Sequence, residues 1–438
     1  MSDAAIIKPF GPKAWREIMR PPIKDKRITI FEGSVRSSKT FTLDAKTIVQ
    51  LSRYEAIPAN AKRLMTGATK QTLFRNVLID LFSIAGRENY SYNSSTGELW
   101  LFGKQWFCLG AKDEGSYKQI LGSTVGLHVG DEVVEYPKSF LAQLWLRMSP
   151  DNARSYSSTN PGNPYCYLKA EVIDNPDFKA MMRVVHFTLN DNPNISPAAK
   201  AAIIASQVGV YKLRYIDGLW VVAEGSIYRD SWDDRLNTYA NTARLSNDKK
   251  FTHQTAPIGL TNKGGYVDHW FALDAGVDHP QVYGEFYDDG RRVRLHRTWR
   301  WDSRKQMKQL TDSQYVDELE KFMEPTNGKG CEVRVPPECA SLRAELLLRG
   351  HYVVDADNEV GEGIHTVSTL LSQRNLLINV DECNGIETMI PNYAWDEKAA
   401  NRGIEQPLKK NDDDVDMLRY GVHGKIPAWR LLSDLQVQ

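Results

Sequence analysis

Short apolar runs closed by Gly, Asp or Asn alternate along the first half of the chain with stretches whose apolar residues recur every three or four positions. The runs at 27–31, 63–67, 126–131 and 154–158 read as strands. The stretches at 41–51 and 71–82 read as helices, and 98–102 with 105–109 as a hairpin-like pair. A short helical pattern over 14–19 is broken by Pro21 and Pro22. Strands alternating with helices predict an α/β body with a mostly parallel sheet flanked by helices. A long helix is expected over 197–216, followed by Gly218, Leu219 and Trp220. From Tyr266 the rhythm changes: 267–274, 281–287 and 292–299, turning around Asp288, Asp289 and Gly290, form a strand meander before α/β alternation resumes.

Length and composition sharpen this picture only in places. A chain of 438 residues can hold two or three domains, and the change of rhythm favours two. Lys+Arg and Asp+Glu both total 55, so net charge carries no signal for nucleic acid and any such contact must come from a local basic patch. The five cysteines are scattered and form no CxxC pair, which argues against a disulfide framework and against zinc, and for a reduced intracellular setting. No apolar run reaches membrane-spanning length and the N-terminus lacks the pattern of a signal peptide, so a soluble protein is expected. No fixed-period repeat is present.

Three segments of the first half carry chemistry. Gly33-Ser34-Val35-Arg36-Ser37-Ser38-Lys39-Thr40 has the Walker A spacing, with Ser38 where the second glycine is usual. Such a loop turns backbone N–H groups toward phosphates, Lys39 adds a point charge, and Thr40 offers a hydroxyl to Mg²⁺. A serine can take the glycine position if its φ stays negative, the condition the loop would then have to meet. The strand 126–131 ends in Asp131 and Glu132, the Walker B arrangement: Asp131 belongs to the metal shell and Glu132 is the general base that polarises water. The third strand runs into Ser158, Thr159, Asn160 and Pro161, placing polar side chains at a neighbouring strand end.

In this order, the three segments resemble the ATPase half of the phage terminase large subunit family, the DNA-packaging motors. The resemblance implies that Ser158, Thr159 and Asn160 couple hydrolysis to movement, that 186–222 is a lid region of a domain spanning 1–222, and that 220–225 is the hinge. Ser38 and the interruption of the acidic strand by His128 and Gly130 depart from the pattern. Arg36, Arg147 and Arg154 are candidates for a trans-acting arginine, a role left unassigned.

In the second half, an acid closing the first strand of a meander, Asp274, is how an RNase H-like metal nuclease begins. Asp413 and Asp416 open an apolar-periodic helix and share one face; N-terminal capping by a solvated acidic cluster is the alternative reading. Asp416-Met417-Leu418-Arg419-Tyr420 resembles the final motif of the terminase nuclease, which implies that Asp416 binds metal with Asp413 auxiliary, in a domain covering 226–438. The usual middle aspartate is replaced by Pro336, and Glu338 two residues on either supplies the missing carboxylate or is simply an acid at a helix start. Asp278, Asp355 and Glu362 are the reserves. Two Mg²⁺ or Mn²⁺ ions are expected there, besides ATP and Mg²⁺ in the first half. The basic stretch around 291–308, with Arg292, Arg294, Arg297 and Arg304, is the candidate DNA contact. The resemblance further implies double-stranded DNA, the portal protein of a procapsid, a small terminase subunit and a homo-oligomeric ring as partners, in the host cytoplasm with no membrane. The rival reading is an ATP-dependent translocase or helicase whose second domain is an inactive clamp.

Overall fold

The computed structural model describes residues 10–54, 57–246, 250–255, 266–275, 280–409 and 412–427. Two compact units emerge: 1–201 with 210–223 and 400–404, and 202–209 with 224–399 and 405–438.

The first unit is built on eight strands: β1 (Ile28–Gly33), β2 (Lys62–Gly67), β3 (Tyr90–Asn93), β4 (Glu98–Leu101), β5 (Lys104–Gly110), β6 (Val125–Gly130), β7 (Arg154–Thr159) and β8 (Met182–Phe187), in the order β3-β4-β5-β2-β6-β7-β1-β8. From β5 to β8 all pairings are parallel, and β3-β4-β5 form an antiparallel border. Central parallel strands need apolar side chains on both faces. Alternation in β1 and β2 meets that need, sending Phe31 and Met65 into a cluster with Leu43 and Trp106, and Ile30 and Leu64 into the opposite one with Phe140 and Leu144. His128 interrupts β6 without breaking it because its ring is hydrogen-bonded on both sides, to the Thr66 and Ser155 hydroxyls at 2.8 Å each. Burial pushes this imidazole down to about 3, so it stays neutral. With β7 between β1 and β6, the C-terminal ends of the three strands open onto one edge.

The second unit carries β9 (Thr238–Ala240), β10 (Gln254–Thr255), β11 (Asp268–Asp274), β12 (Gln281–Asp288), β13 (Val293–Trp301), β14 (Glu332–Val335), β15 (Tyr352–Asp355) and β16 (Leu376–Asn379), ordered β10-β9-β16-β13-β12-β11-β14-β15. β11, β12 and β13 are the expected antiparallel meander, β14 runs parallel to β11, and β15 parallel to β14. The helix Asp413–Val422 lies against β11 and β12. Its approach depends on Gly421, where a Cβ would stand 2.2 Å from a ring carbon of Phe286. Trp270 Nε1 donates to the Gly421 carbonyl at 2.8 Å, fixing the helix lengthwise.

One predicted element is corrected. The helix expected over 197–216 is two pieces, Pro197–Ala205 and a second that starts at Gly209, whose φ is +54°. That value favours glycine and breaks the continuous helical backbone the pattern predicts. Ser206 and Gln207, in the gap, belong to the second unit, where the Ser206 carbonyl accepts from Thr369 Oγ1 and Gln207 bonds His365. Among the described residues no helix is long and apolar enough to cross a membrane.

Candidate functional site

At the open edge of the first sheet, the loop 33–40 joins β1 to the helix Lys39–Val49. Gly33 takes φ +132°, and a Cβ there would stand 1.8 Å from the Phe187 carbonyl oxygen, so only glycine fits. Ser38 overturns the expectation of a negative φ: it sits at +72°, in the left-handed region, and its side chain caps nothing. The loop geometry takes precedence over the residue's preference, at a cost of roughly 1–2 kcal/mol. Arg36 is left-handed too, with its carbonyl held by Asn192 Nδ2 at 2.7 Å.

Lys39 is 5% exposed and folded back on its own loop. Its ammonium donates to the carbonyls of Gly33 (3.1 Å) and Ser34 (2.6 Å) and to Asn160 Oδ1 (2.9 Å). Burial lowers its pKa, against the charges of Glu132, Asp131 and Glu32. Asp131, also buried, accepts from Ser158 Oγ at 2.7 Å, from Thr40 Oγ1 at 3.4 Å and from Asn76 Nδ2 at 3.4 Å. Both oxygens of Glu132 are taken by Asn160, one by its backbone N–H at 2.9 Å and one by its side-chain amide at 2.8 Å. Burial raises the Glu132 pKa, with Asp131 adding to it and Lys39 opposing it. Asn160 therefore links the lysine of one segment to the glutamate of another, and the three sequence segments meet. The Ser34 hydroxyl is buried with no partner, a polar atom turned into the loop.

Sequence reasoning missed Asn76 and Glu32. Glu32 Oε2 accepts from the Trp220 indole at 2.9 Å, tying the expected hinge to β1, and the Val35 N–H donates to the Tyr215 carbonyl at 2.8 Å. No spacing signal marks either residue. Arg154 donates to the carbonyls of Asp151 and Ala153, a structural role, at 3.3 and 2.8 Å.

In the second unit, Asp274 closes β11 near the start of the helix Asp413–Val422. Burial pushes its carboxyl up to about 8, and the charges of Asp416 and Asp413 add to the shift while Lys409 opposes it. Asp416 accepts from Tyr393 OH at 2.9 Å and Lys409 Nζ at 3.0 Å, with Arg419 at 3.3 Å. Asp413 accepts from Arg300 at 3.0 Å, and Arg300 also pairs with Asp414. Glu338 is exposed, one residue before the N-cap of the helix Ala340–Leu348, and accepts from Asn358 Nδ2 at 3.2 Å. It shares neighbours with Asp274: Cys339, pushed up to about 12 by burial and then by Glu338 and Asp274, donates to the carbonyl of Ala275 at 3.2 Å. Among the described residues no three His, Cys, Asp or Glu side chains already stand as a metal-holding group. Of the reserve acids, Asp355 pairs with Arg343 and Glu362 is raised by burial; Asp278, like Asn411, lies outside the described residues. Arg300 lies in the basic stretch read as a DNA contact but pairs with Asp413 and Asp414, while Lys409 and Arg419 beside the acids carry no signal in the sequence.

The basic stretch needs correction. Arg294 is buried and paired with Asp289, and Arg297 donates to Glu285 at 2.6 Å and to the Phe322 carbonyl at 2.7 Å. β13 lies inside the sheet, so these guanidiniums serve the core. Arg304 is exposed and Arg292 half-buried.

No protein-family model and no curated protein sequence matches the chain. Solved structures do. The large terminase of a thermophilic bacteriophage superposes with a TM-score of 0.82 at 31% identity, over 95% of this chain and 98% of that one. The same phage's enzyme in complex with ADP gives 0.81 at 30% identity, over 95% and 99% of the two chains. Its complex with ATP-γ-S gives 0.80 at 30% identity, over 94% and 98%. With that identity sustained along both bodies, each built on its own mixed sheet flanked by helices, the chain belongs to the phage large terminases and has their ATPase-plus-nuclease architecture.

Proposed function

We propose that this chain is the motor and nuclease of viral genome packaging: ATP hydrolysis in residues 1–222 drives double-stranded DNA into a procapsid, and residues 226–438 cut concatemers with divalent metal. The convergence of Lys39, Thr40, Asp131, Glu132, Ser158 and Asn160 at one sheet edge carries this reading. The similar enzyme of the thermophilic phage was solved with ADP and with ATP-γ-S, which supports ATP as the nucleotide here.

Lys39 is held by loop carbonyls, contacts that phosphate oxygens replace with a charge-assisted bond. Drawing the ammonium toward the γ-phosphate takes it off Asn160, which also holds Glu132; Glu132 then turns to the attacking water as general base, its raised pKa suiting proton acceptance near neutral pH. Ser158, Thr159 and Asn160 form the coupling segment. The hydroxyls of Thr40 and Ser158 beside Asp131 are hard oxygen donors of the kind Mg²⁺ takes.

Asp274, Asp416 and the auxiliary Asp413 are likewise all-oxygen donors. Lys409 Nζ, within 3.0 Å of both Asp412 and Asp416, supports reading the cluster as one that takes a cation. Mg²⁺ or Mn²⁺ held there, in a pair, would activate water and stabilise the leaving oxygen of the phosphodiester. Glu338 completes the set by leaving Asn358. Arg304 and Arg292 offer the positive surface along which DNA lies. Portal protein, small terminase subunit and a ring of copies of this chain are the partners that fit the activity, in the host cytoplasm.

A second reading, a translocase with an inactive clamp, draws on the ion pairs that occupy Asp413 and Asp416 and on the Asn358 contact of Glu338. Assays of ATP turnover and plasmid linearisation with Mg²⁺ or Mn²⁺ decide between them. Turnover with cutting supports packaging, turnover without cutting supports the clamp, and no turnover overturns both.

A further inference from the structure

At the end of β11 opposite Asp274, three reactive side chains stand in line. Cys331, immediately before β14, places its Sγ 3.3 Å from His269 Nδ1, and His269 Nε2 lies 2.9 Å from Glu285 Oε1. Glu285 is fully buried and fixed from two further sides, by Arg297 Nε at 2.6 Å and Tyr287 OH at 2.9 Å. The His269 ring stacks on Tyr287 with centroids 4.4 Å apart, so its plane and both nitrogens are set. Cys331 is half-buried and opens onto a cleft of about 420 Å³ lined by Tyr266, Asp268, His269, Asn327 and Glu332. Lys425 bridges Asp268 at 2.9 Å and Glu332 at 2.8 Å, offsetting the acids at the cleft.

A thiol bonded to an imidazole that is itself oriented by a buried carboxylate is the arrangement that makes a nucleophilic thiolate. Burial disfavours the imidazolium, but the hydrogen bonds and charges of Cys331 and Glu285 outweigh it and raise His269 to about 9. Other groups packed around the ring are Tyr266, Tyr287 and His296, with Arg297 beyond Glu285. None of these residues has a part in ATP hydrolysis or in the acid cluster.

We propose that Cys331, activated by His269 and Glu285, is a thiol–disulfide exchange site that accepts a small neutral disulfide from this cleft. The Cys331 proton passes to His269 Nδ1 and the thiolate attacks one sulfur of the disulfide. A new S–S bond forms as the original one breaks, and the departing thiolate leaves with that electron pair. Oxidant and leaving group both come from the disulfide, so the step balances. The product is a mixed disulfide at the start of β14.

Hydroxyethyl disulfide is the probe, with intact mass and peptide mapping on the full chain. One adduct on Cys331 is expected, absent in Cys331→Ser, whose ATP turnover should match that of the unsubstituted chain. Iodoacetamide at pH 6.5 should label Cys331 at least about tenfold faster than the half-buried Cys166 and Cys339. Glu285→Gln should slow labelling of Cys331 at pH 6.5 by about tenfold or more, because the imidazole loses the carboxylate that orients it. Labelling no faster than at Cys166 and Cys339, or no adduct from hydroxyethyl disulfide on Cys331, overturns the proposal. If Glu285→Gln does not fold, the labelling ratio in the unsubstituted chain decides alone.

Discussion

The two charged sites balance their charges by different means. In the first unit, lysine and acids are joined through neutral groups of the same site: Asn160 bridges Lys39 and Glu132, and Ser158 bonds Asp131. In the second unit, Asp413 and Asp416 are met by cations, Arg300 from β13, Lys409 from just before the helix and Arg419 on it, while Asp274 stays beside them and is raised to about 8. A site of mixed sign can be closed by amides and hydroxyls, whereas carboxylates crowded together need positive charge, from protein or from metal. The first site is thus balanced by its own amide and hydroxyls, the second by cations of the chain.

The largest test separates the two sites outright. Lys39→Ala should abolish ATP binding, and Glu132→Gln should keep binding while turnover falls roughly 10²–10⁴-fold, since only the base is removed. Both variants should still linearise plasmid. Asp274→Ala and Asp416→Ala should do the reverse, losing cleavage with ATP turnover intact. Nucleotide affinity, steady-state hydrolysis and cleavage measured on all four decide it. Normal turnover in Glu132→Gln would move the base elsewhere, and cleavage lost in Lys39→Ala would mean that cutting depends on ATP.

Legibility from sequence follows the same divide. A phosphate loop works through consecutive backbone groups, so its residues must be contiguous, and the pattern from Gly33 to Thr40 is visible as one segment. The central strands of the first sheet and the meander of the second follow from local alternation and turn residues. What could not be read depends on how side chains meet once the chain is folded: Lys409 and Arg300 finding the acids, Asn76 reaching Asp131, Arg294 and Arg297 turning inward. At Ser38 the loop's geometry sets a positive φ that residue preference alone does not announce. The single helix over 197–216 divides after Ala205, and Gly209 opens its second piece in the left-handed region.

Glu338 sharpens the comparison next. Bound to Asn358 and exposed, it has to move to join Asp274 and Asp416. If it supplies the third carboxylate, Glu338→Ala and Glu338→Gln should each lose cleavage as severely as Asp274→Ala, because ligands acting together give non-additive losses. An acid at a helix start alone would contribute about 0.3–1 kcal/mol of stability and leave cutting near normal. Pro336→Asp should raise activity if that strand end faces the metal. Near-normal cleavage by Glu338→Ala would remove it from the site.

A smaller, thermodynamic signature distinguishes crowded acids from bridged ones. Asp274 has a folded-state pKa of about 8, above the ordinary aspartate value, so between about pH 4 and 8 the folded unit binds more protons than the unfolded chain. Stability of the metal-free second unit should therefore fall as pH rises through that window. Mg²⁺, which binds the ionised form, should restore it toward pH 8, and Asp274→Asn should flatten the profile. Melting curves in a chelator and in Mg²⁺ from pH 5 to 8 measure this; a flat metal-free profile would show that Lys409 already neutralises the cluster.

The smallest effect lies in the first site, at Ser38. A left-handed φ costs an L-residue roughly 1–2 kcal/mol, and glycine avoids it but loses about 0.5–1 kcal/mol more backbone entropy on folding. The two terms nearly offset, leaving Ser38→Gly stabilised by a few tenths to about 1 kcal/mol, a rise of a few degrees in Tm for a unit of this size. Ser38→Ala keeps the left-handed cost and should gain nothing, because the serine side chain caps nothing. ATP affinity should be unchanged in both, since phosphate binding draws on backbone N–H groups and Lys39 and not on the Ser38 hydroxyl. Paired melting curves and nucleotide titrations test the claim. A loss of stability or of ATP affinity in Ser38→Gly would show that the hydroxyl takes part in the loop's work, and that the first site depends on more than the groups that now bridge it.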